Sequence, residues 1–302
     1  MKPIRFCVCA PVIAVALAGG CSSDGCPRVD AAEPAAAHHV LLEPESDAFR
    51  AVPPDTFDVR FETSAGEFLV RINREWAPMG AYRFYNLVRN GFFDGIYFFR
   101  VVPGFMAQFG VHGVPAVNEA WLDRQIPDDP VRYPNQRGTL TFATAGEDTR
   151  TTQLFINYRD NSAALDPQGF APIGRVAQGL DVVDRLYGEY GETSPQGEGP
   201  AYACMMEGGN AYLERRFERM DSIVRATIVR EANAAIDTAA VDSIRSVAFL
   251  PLSPAPEHPA EREERNEREL DDEDTHPAHD NTPGSAAAKA VRPGASARSR
   301  LD

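Results

Sequence analysis

The stretch YFFRVVPGFMAQFG, from Tyr97 to Gly110, constrains the fold more than any other part of this chain. From Ile96 to Val102 the residues are almost all aromatic or β-branched, which suits a pleated, buried surface, so the run predicts a strand. Arg100 alone interrupts it with a charge. Pro103-Gly104 predicts the turn that ends the strand, with Phe105, Met106 and Gln108 close behind. A guanidinium among such neighbours needs partners, because a buried unpaired charge costs several kcal/mol or more. Either Arg100 faces solvent or a carboxylate, or the run builds an apolar floor carrying one fixed guanidinium and one amide.

The flanking segments alternate in the same way. Phe57, Val59 and Phe61 alternate with Asp58, Arg60 and Glu62, and Phe68, Val70 and Ile72 alternate back after Ser64-Ala65-Gly66, which predicts a hairpin. Pro78 opens a helix with Ala81, Phe84, Leu87 and Val88 on one face, and Asn90-Gly91 ends it. Residues 111–137 read as a long, turn-rich loop in which His112 is a surface histidine. Residues 138–142, 153–157 and 173–176 read as strands, and residues 180–186 as a second amphipathic helix. Residues 207–217 predict one short extra helix and residues 223–229 a closing strand.

Two further blocks complete the pattern: TFATAGEDTRTTQLFIN at residues 141–157 and LDPQGFAPIGRV at residues 165–176. With FFRVVPGFMAQFG at residues 98–110, they resemble, in order and spacing, the cyclophilin family of peptidyl-prolyl isomerases. That family carries F-H-R-I-I-P-G-F-M-x-Q-G-G, M-A-N-A-G-x-N-T-x-x-S-Q-F-F-I and L-D-x-x-x-x-V-F-G-x-V. The resemblance covers roughly residues 57–228. It implies a closed, eight-stranded antiparallel β-barrel capped by helices, and an enzyme that accelerates rotation of X–Pro bonds without metal or organic cofactor. Arg100 matches the catalytic arginine, and Gln108 the glutamine that orients it. Phe105, Met106, Phe155, Leu165 and Phe170 match the cup for the proline ring. Ala143 and Gln153 match substrate-groove positions, and the backbone of Thr144 is expected to pair with the residues preceding proline.

Rotation about the X–Pro amide meets a barrier of about 18–20 kcal/mol because the C–N bond has double-bond character. No covalent bond has to change, so the site need only favour the twisted amide over either planar isomer. An apolar cup and a fixed donor suffice for that. Several positions depart from the family pattern. Thr144 replaces an asparagine, Phe170 a histidine, Phe109 the first glycine after Gln108, and Ala164 the tryptophan of drug-sensitive relatives. A rival reading is a binding module that holds proline-containing segments and turns over slowly; a third is an envelope scaffold.

Composition bounds the rest. A net charge of −14 over 302 residues argues against a nucleic-acid partner, since phosphate binding needs a basic face. Residues 1–20 combine Lys2 and Arg5 with an apolar run too short for a comfortable membrane span, and read as an export signal. LAGGC at residues 17–21 resembles a bacterial lipobox with its leucine one place early, implying lipidation of Cys21 and a membrane anchor in the bacterial envelope. Ordinary signal-peptidase cleavage to a soluble periplasmic chain is the alternative. Residues 21–55 read as a disordered tether, 56–230 as the isomerase domain, 231–250 as an extension of uncertain character, and 251–302 as a disordered low-complexity tail. Of five cysteines, Cys26 and Cys204 are the exported thiols besides Cys21. An oxidising compartment permits a bridge between them, and the sequence leaves that pairing open. No spacing of cysteine or histidine suggests a metal site.

Overall fold

In the computed structural model, which describes Cys26 and residues 36–232, the alternating segments form the expected hairpin. Strands β1 (Thr56–Thr63) and β2 (Gly66–Asn73) pair from Thr56↔Asn73 to Thr63↔Gly66. The turn requires Gly66, whose φ of 128° strains any residue with a Cβ. Phe57, Val59, Phe61, Phe68, Val70 and Ile72 are buried, as their period of two predicts.

Helix α1 (Pro78–Arg89) buries Ala81, Phe84, Leu87 and Val88 and ends before Gly91, whose φ is 70°. Its first turn is capped from a distance, with the Asp129 carboxylate accepting the Met79 and Gly80 N–H groups at 2.9 Å each. Arg150 in turn donates to Asp129 at 3.0 Å, so the buried carboxylate is paired.

The remaining strands of the main sheet are β3 (Ile96–Tyr97), β4 (Arg100–Val102), β5 (Met106–Phe109), β6 (Thr139–Phe142), β7 (Leu154–Asn157) and β8 (Pro172–Gln178). Two short strands, β9 (Thr193–Ser194) and β10 (Gly199–Ala201), pair apart from it, and β11 (Ser222–Ala232) rejoins it. The mainly β, antiparallel architecture expected from the resemblance forms, as a curled sheet with helices, and closure into an eight-stranded barrel is not shown by the strand pairing of the described residues. There is one nine-stranded antiparallel sheet in the order β3-β11-β1-β2-β8-β6-β7-β5-β4. The run at residues 96–102 does not make a single strand because it changes partner midway: Ile96 and Tyr97 pair with β11, and Arg100 to Val102 pair with β5. The two edge strands are thus neighbours in the chain, joined by Phe98 and Phe99, and the sheet curls around its core.

Helices α2 (Pro115–Leu122), α3 (Ser162–Leu165), α4 (Leu180–Asp184) and α5 (Tyr202–Arg216) complete the described fold. α2 forms where turn-rich composition predicts only loop, and it buries Val117 and Trp121. His112 consequently lies inside, not at the surface. Its backbone N–H donates to Asn118 Oδ1 at 2.7 Å, and its Nδ1 accepts the Val114 N–H at 3.0 Å. α5 starts five residues earlier than the predicted 207–217 segment and kinks at Gly209 (φ 53°), where a Cβ would lie 2.1 Å from the Gly113 carbonyl.

The segment read as a tether is partly built into the fold. Residues 36–42 and 47–49 form 3-10 turns that bury Leu41 and Phe49. Phe49 packs edge-on against Trp121 at 4.9 Å, and Trp121 Nε1 donates to the Leu41 carbonyl at 2.8 Å. Two apolar anchors outweigh a composition that otherwise suggests a linker. The export signal, Cys21 and the tail at 251–302 lie outside the described residues.

The cysteine pairing left open by the sequence is resolved: Cys26 is bonded to Cys204, with the Cα atoms 5.3 Å apart. The bridge ties the chain ahead of the folded domain to the first turn of α5. Its residues are 178 positions apart, so it removes much chain entropy from the unfolded state. Reduction, or Cys26→Ser, is expected to lower the unfolding free energy by about 2–4 kcal/mol in a denaturant titration. An unchanged midpoint would show that the bridge constrains nothing.

Candidate active site

Pleating of β4, β5 and β7 sorts their side chains onto two faces. Val101, Ala107, Phe109, Leu154 and Ile156 join the main core. Their alternates Arg100, Met106, Gln108 and Phe155 face the other way, and register sets Arg100 opposite Gln108 and Gln108 opposite Phe155. The site is therefore on the outer face of the curled sheet.

Met106, Phe155, Leu165 and Phe170 form a separate buried apolar cluster, with Val102, Phe105 and Ala143 packed against it. Phe155 and Phe170 meet edge to face at 5.8 Å. Leu165 ends α3, and the left-handed Gly169 (φ 83°) returns the chain so that Phe170 packs beside it. A polar network beneath the cluster holds it in place. Asn161 Nδ2 donates to the Phe105 carbonyl at 3.0 Å and to Asn157 Oδ1 at 2.7 Å. Asn135 Nδ2 donates to the Phe170 carbonyl at 2.7 Å, and Asn135 Oδ1 accepts the Thr141 hydroxyl at 2.8 Å. Nothing in the sequence marked these asparagines, whose only signal is being polar inside an apolar pattern.

The rim of the cluster is polar. Arg100 Nη1 donates to Gln108 Oε1 at 2.9 Å, Gln108 Nε2 to Gln153 Oε1 at 3.0 Å, and Gln153 Nε2 to the Tyr202 hydroxyl at 3.0 Å. Arginine can only donate, so each amide must present its oxygen toward Arg100 and its nitrogen away. On its other edge Arg100 grips the Glu192 carboxylate, through Nε to Oε1 and through Nη2 to Oε2 at 2.7 Å. These bonds use three of the guanidinium's five N–H donors. Nη1 also faces the Met106 sulfur at 4.0 Å, and the guanidinium carbon lies 5.8 Å from the centre of the Phe105 ring.

Both readings of Arg100 offered by the sequence hold together: it pairs with a carboxylate and it is a fixed guanidinium over an apolar floor. Burial alone pushes the Glu192 carboxyl up, but hydrogen bonding and charge from Arg100, with help from Thr193, outweigh it and hold the group below the usual carboxylate range. A depressed carboxylate keeps its charge at neutral pH, and the ion pair is lost only as pH falls through that lowered value.

The structure brings Arg100, Phe105, Met106, Gln108, Ala143, Gln153, Phe155, Leu165 and Phe170 together. Thr144 follows Ala143, but its hydroxyl turns into its own loop, bonding Gly146 and, at 2.8 Å, Thr149. Sequence reasoning missed Glu192 and Tyr202. Glu192 lies in GETSPQGEG, which has no period to place it, 92 positions from Arg100. Trp121 does not stand in for a tryptophan at the exposed Ala164, since its ring is buried and its N–H is taken. Cyclosporin-type macrocycles are accordingly expected to inhibit this chain more weakly than a tryptophan-bearing relative. Equal inhibition constants in a side-by-side assay would refute this.

The sequence model of the cyclophilin-type peptidyl-prolyl cis-trans isomerase family matches residues 58–203. Peptidyl-prolyl cis-trans isomerase of Acinetobacter baylyi is 34% identical over 132 residues, spanning 42% of this chain and 70% of the relative. Isomerase A of Dickeya dadantii is 35% identical over 141 residues, with the same coverage of 42% and 70%. Isomerase B of Escherichia coli is 30% identical over 143 residues, covering 43% and 84%. A cyclophilin crystal structure from Cryptosporidium parvum aligns with 59% of this chain at 17% identity and a TM-score of 0.43. The chain belongs to the cyclophilin-type family. It is a peptidyl-prolyl cis-trans isomerase.

Proposed function

We propose that this enzyme isomerises X–Pro bonds in exported polypeptides, by non-covalent stabilisation of the twisted amide at the face bearing Arg100. The observation that carries the reading is a guanidinium, restrained by Gln108 and Glu192, at the rim of a separate apolar cluster that includes three aromatic rings. The ring of a substrate proline packs against Phe105, Met106, Phe155, Leu165 and Phe170. As the amide twists, conjugation is lost and the nitrogen regains a lone pair, to which an uncommitted Arg100 N–H donates. Gln108 keeps the guanidinium at that angle, and the groove beside Ala143, Thr144 and Gln153 takes the residues before proline. Binding energy realised only in the twisted state raises kcat.

The apolar start of the chain supports export, and the Cys26–Cys204 bridge fits an oxidising compartment. In this reading Cys21 carries lipid and anchors the enzyme in the bacterial envelope, with proline-containing folding chains as substrates. Labelled fatty acid is expected to enter the wild-type chain and not Cys21→Ser. A soluble mature chain beginning after Cys21 would overturn the anchor. The catalytic proposal is tested by exchange NMR on an Ala-Pro-containing peptide with the full chain. Acceleration at catalytic concentrations supports it, and binding without acceleration gives the function to a holding module.

A further inference from the structure

The Arg100 ion pair is made by a segment that the chain pins in place at several points. Gly191 bridges to Val101, the residue next to Arg100, and Gly188 packs close to Pro103 and Val101. Beyond Glu192, the Gly199 N–H donates to the Glu192 carbonyl at 2.8 Å. Gly197 and Gly199 must both be glycine for this, because a Cβ on either would lie 2.5 or 2.6 Å from that carbonyl. β9 and β10 then pair, and α5 begins at once with Tyr202, whose hydroxyl accepts from Gln153. Cys204, two residues on, is bonded to Cys26. One strapped segment thus supplies both ends of a single relay, Glu192–Arg100–Gln108–Gln153–Tyr202.

We infer that Glu192 is a positioning residue for isomerisation, clamping the Nε–Nη2 edge of Arg100 so that the guanidinium is held in the orientation from which an uncommitted N–H meets the substrate amide. The inference rests on the proposed role of Arg100. A lone arginine has several rotamers of similar energy, and Gln108 restrains it through one atom only. A two-point carboxylate fixes the plane as well as the position of the donor fork. The side chain of Arg100 is only 8% exposed, and Glu192 covers it from a partly open position at 30%. Mobile water there could hydrate the guanidinium but could not fix its plane as a two-point carboxylate does. Tyr202 secures the far end by fixing the orientation of the Gln153 amide, and through it that of Gln108.

The test is exchange NMR on the full chain, comparing wild type, Glu192→Gln, Glu192→Asp, Arg100→Ala and the Glu192→Gln/Arg100→Ala double variant, each checked for cooperative unfolding. Glu192→Gln is expected to lower kcat about tenfold with KM changed less than about twofold, because the donor is misaimed while the cup is intact. Glu192→Asp is expected to recover part of the loss and to carry the test if the glutamine variant fails to fold. In the double variant the Glu192 change is expected to have no further effect. Full activity in Glu192→Gln would overturn the inference. So would higher activity, which would make Glu192 a cover over Arg100, and so would a loss that adds to that of Arg100→Ala. A wild type that does not isomerise would instead remove the proposed function.

Discussion

Arg100→Ala is expected to lower kcat/KM for an X–Pro peptide by at least about tenfold, with peptide affinity changed much less. A charge-assisted hydrogen bond contributes roughly 1.5–3 kcal/mol, and each 1.36 kcal/mol is about tenfold in rate. The single donor is thus worth about one to two powers of ten. Its effect concentrates in kcat because the lone pair it meets exists only in the twisted amide. Removing Arg100 also strands the Glu192 carboxylate against the sheet, so some stability is lost along with activity. The double variant with Glu192→Gln separates the two effects, since it removes the stranded charge and leaves the missing donor. Arg100→Lys should recover little, because an ammonium cannot span Gln108 and both Glu192 oxygens at once. Phe105→Ala should show the opposite balance, with weaker peptide binding and a smaller change in kcat. A wild-type rate in Arg100→Ala would dismiss the mechanism.

Much of this site was legible because the three motif blocks resemble the cyclophilin pattern, which implies Arg100, Met106 and Gln108 together and adds Phe155, Leu165 and Phe170 from distant segments. The strand at residues 106–109, which the sequence did not predict, pairs with β4 and sets Arg100, Met106 and Gln108 on one face. The hairpin at residues 56–73 and helix α1 were readable from their strict apolar periodicity. The features missed depend on contacts between distant residues. Leu41 and Phe49 are two apolar residues in a linker-like composition, and they join the main core only once distant residues such as Trp121 are in place. Helix α2 is short, in a loop rich in proline. Glu192 acquires its role from Gly191, Gly197 and Gly199, which look like ordinary turn residues until the strands they touch are in place. The division of residues 96–102 into two short strands was not legible either, because the partner change at Phe98-Phe99 cannot be seen from propensity.

Phe109 carries the largest expected effect on stability. The family pattern has glycine there, so Phe109→Gly restores the family residue, and on resemblance alone it should be harmless. The packing says the reverse. Phe109 is fully buried in the main core and lies edge-on to Phe61 at 5.8 Å, Phe93 at 5.6 Å and Phe98 at 5.3 Å. Truncating a buried phenylalanine to alanine costs about 3–5 kcal/mol, and glycine within a strand adds roughly 0.5–1 kcal/mol of backbone entropy. Domains of this kind have only about 5–15 kcal/mol in all, so Phe109→Gly should bring the protein close to its unfolding threshold. Phe109→Leu should cost less, because it keeps most of the volume. Gln108 and Phe155 face away from this core, so catalysis in the surviving folded fraction should persist at temperatures below the shifted melt. Urea titration with a parallel activity assay checks both parts. A loss under about 1 kcal/mol would mean that Phe61, Phe93 and Phe98 close over the space, and that the ring fills volume without holding the core together.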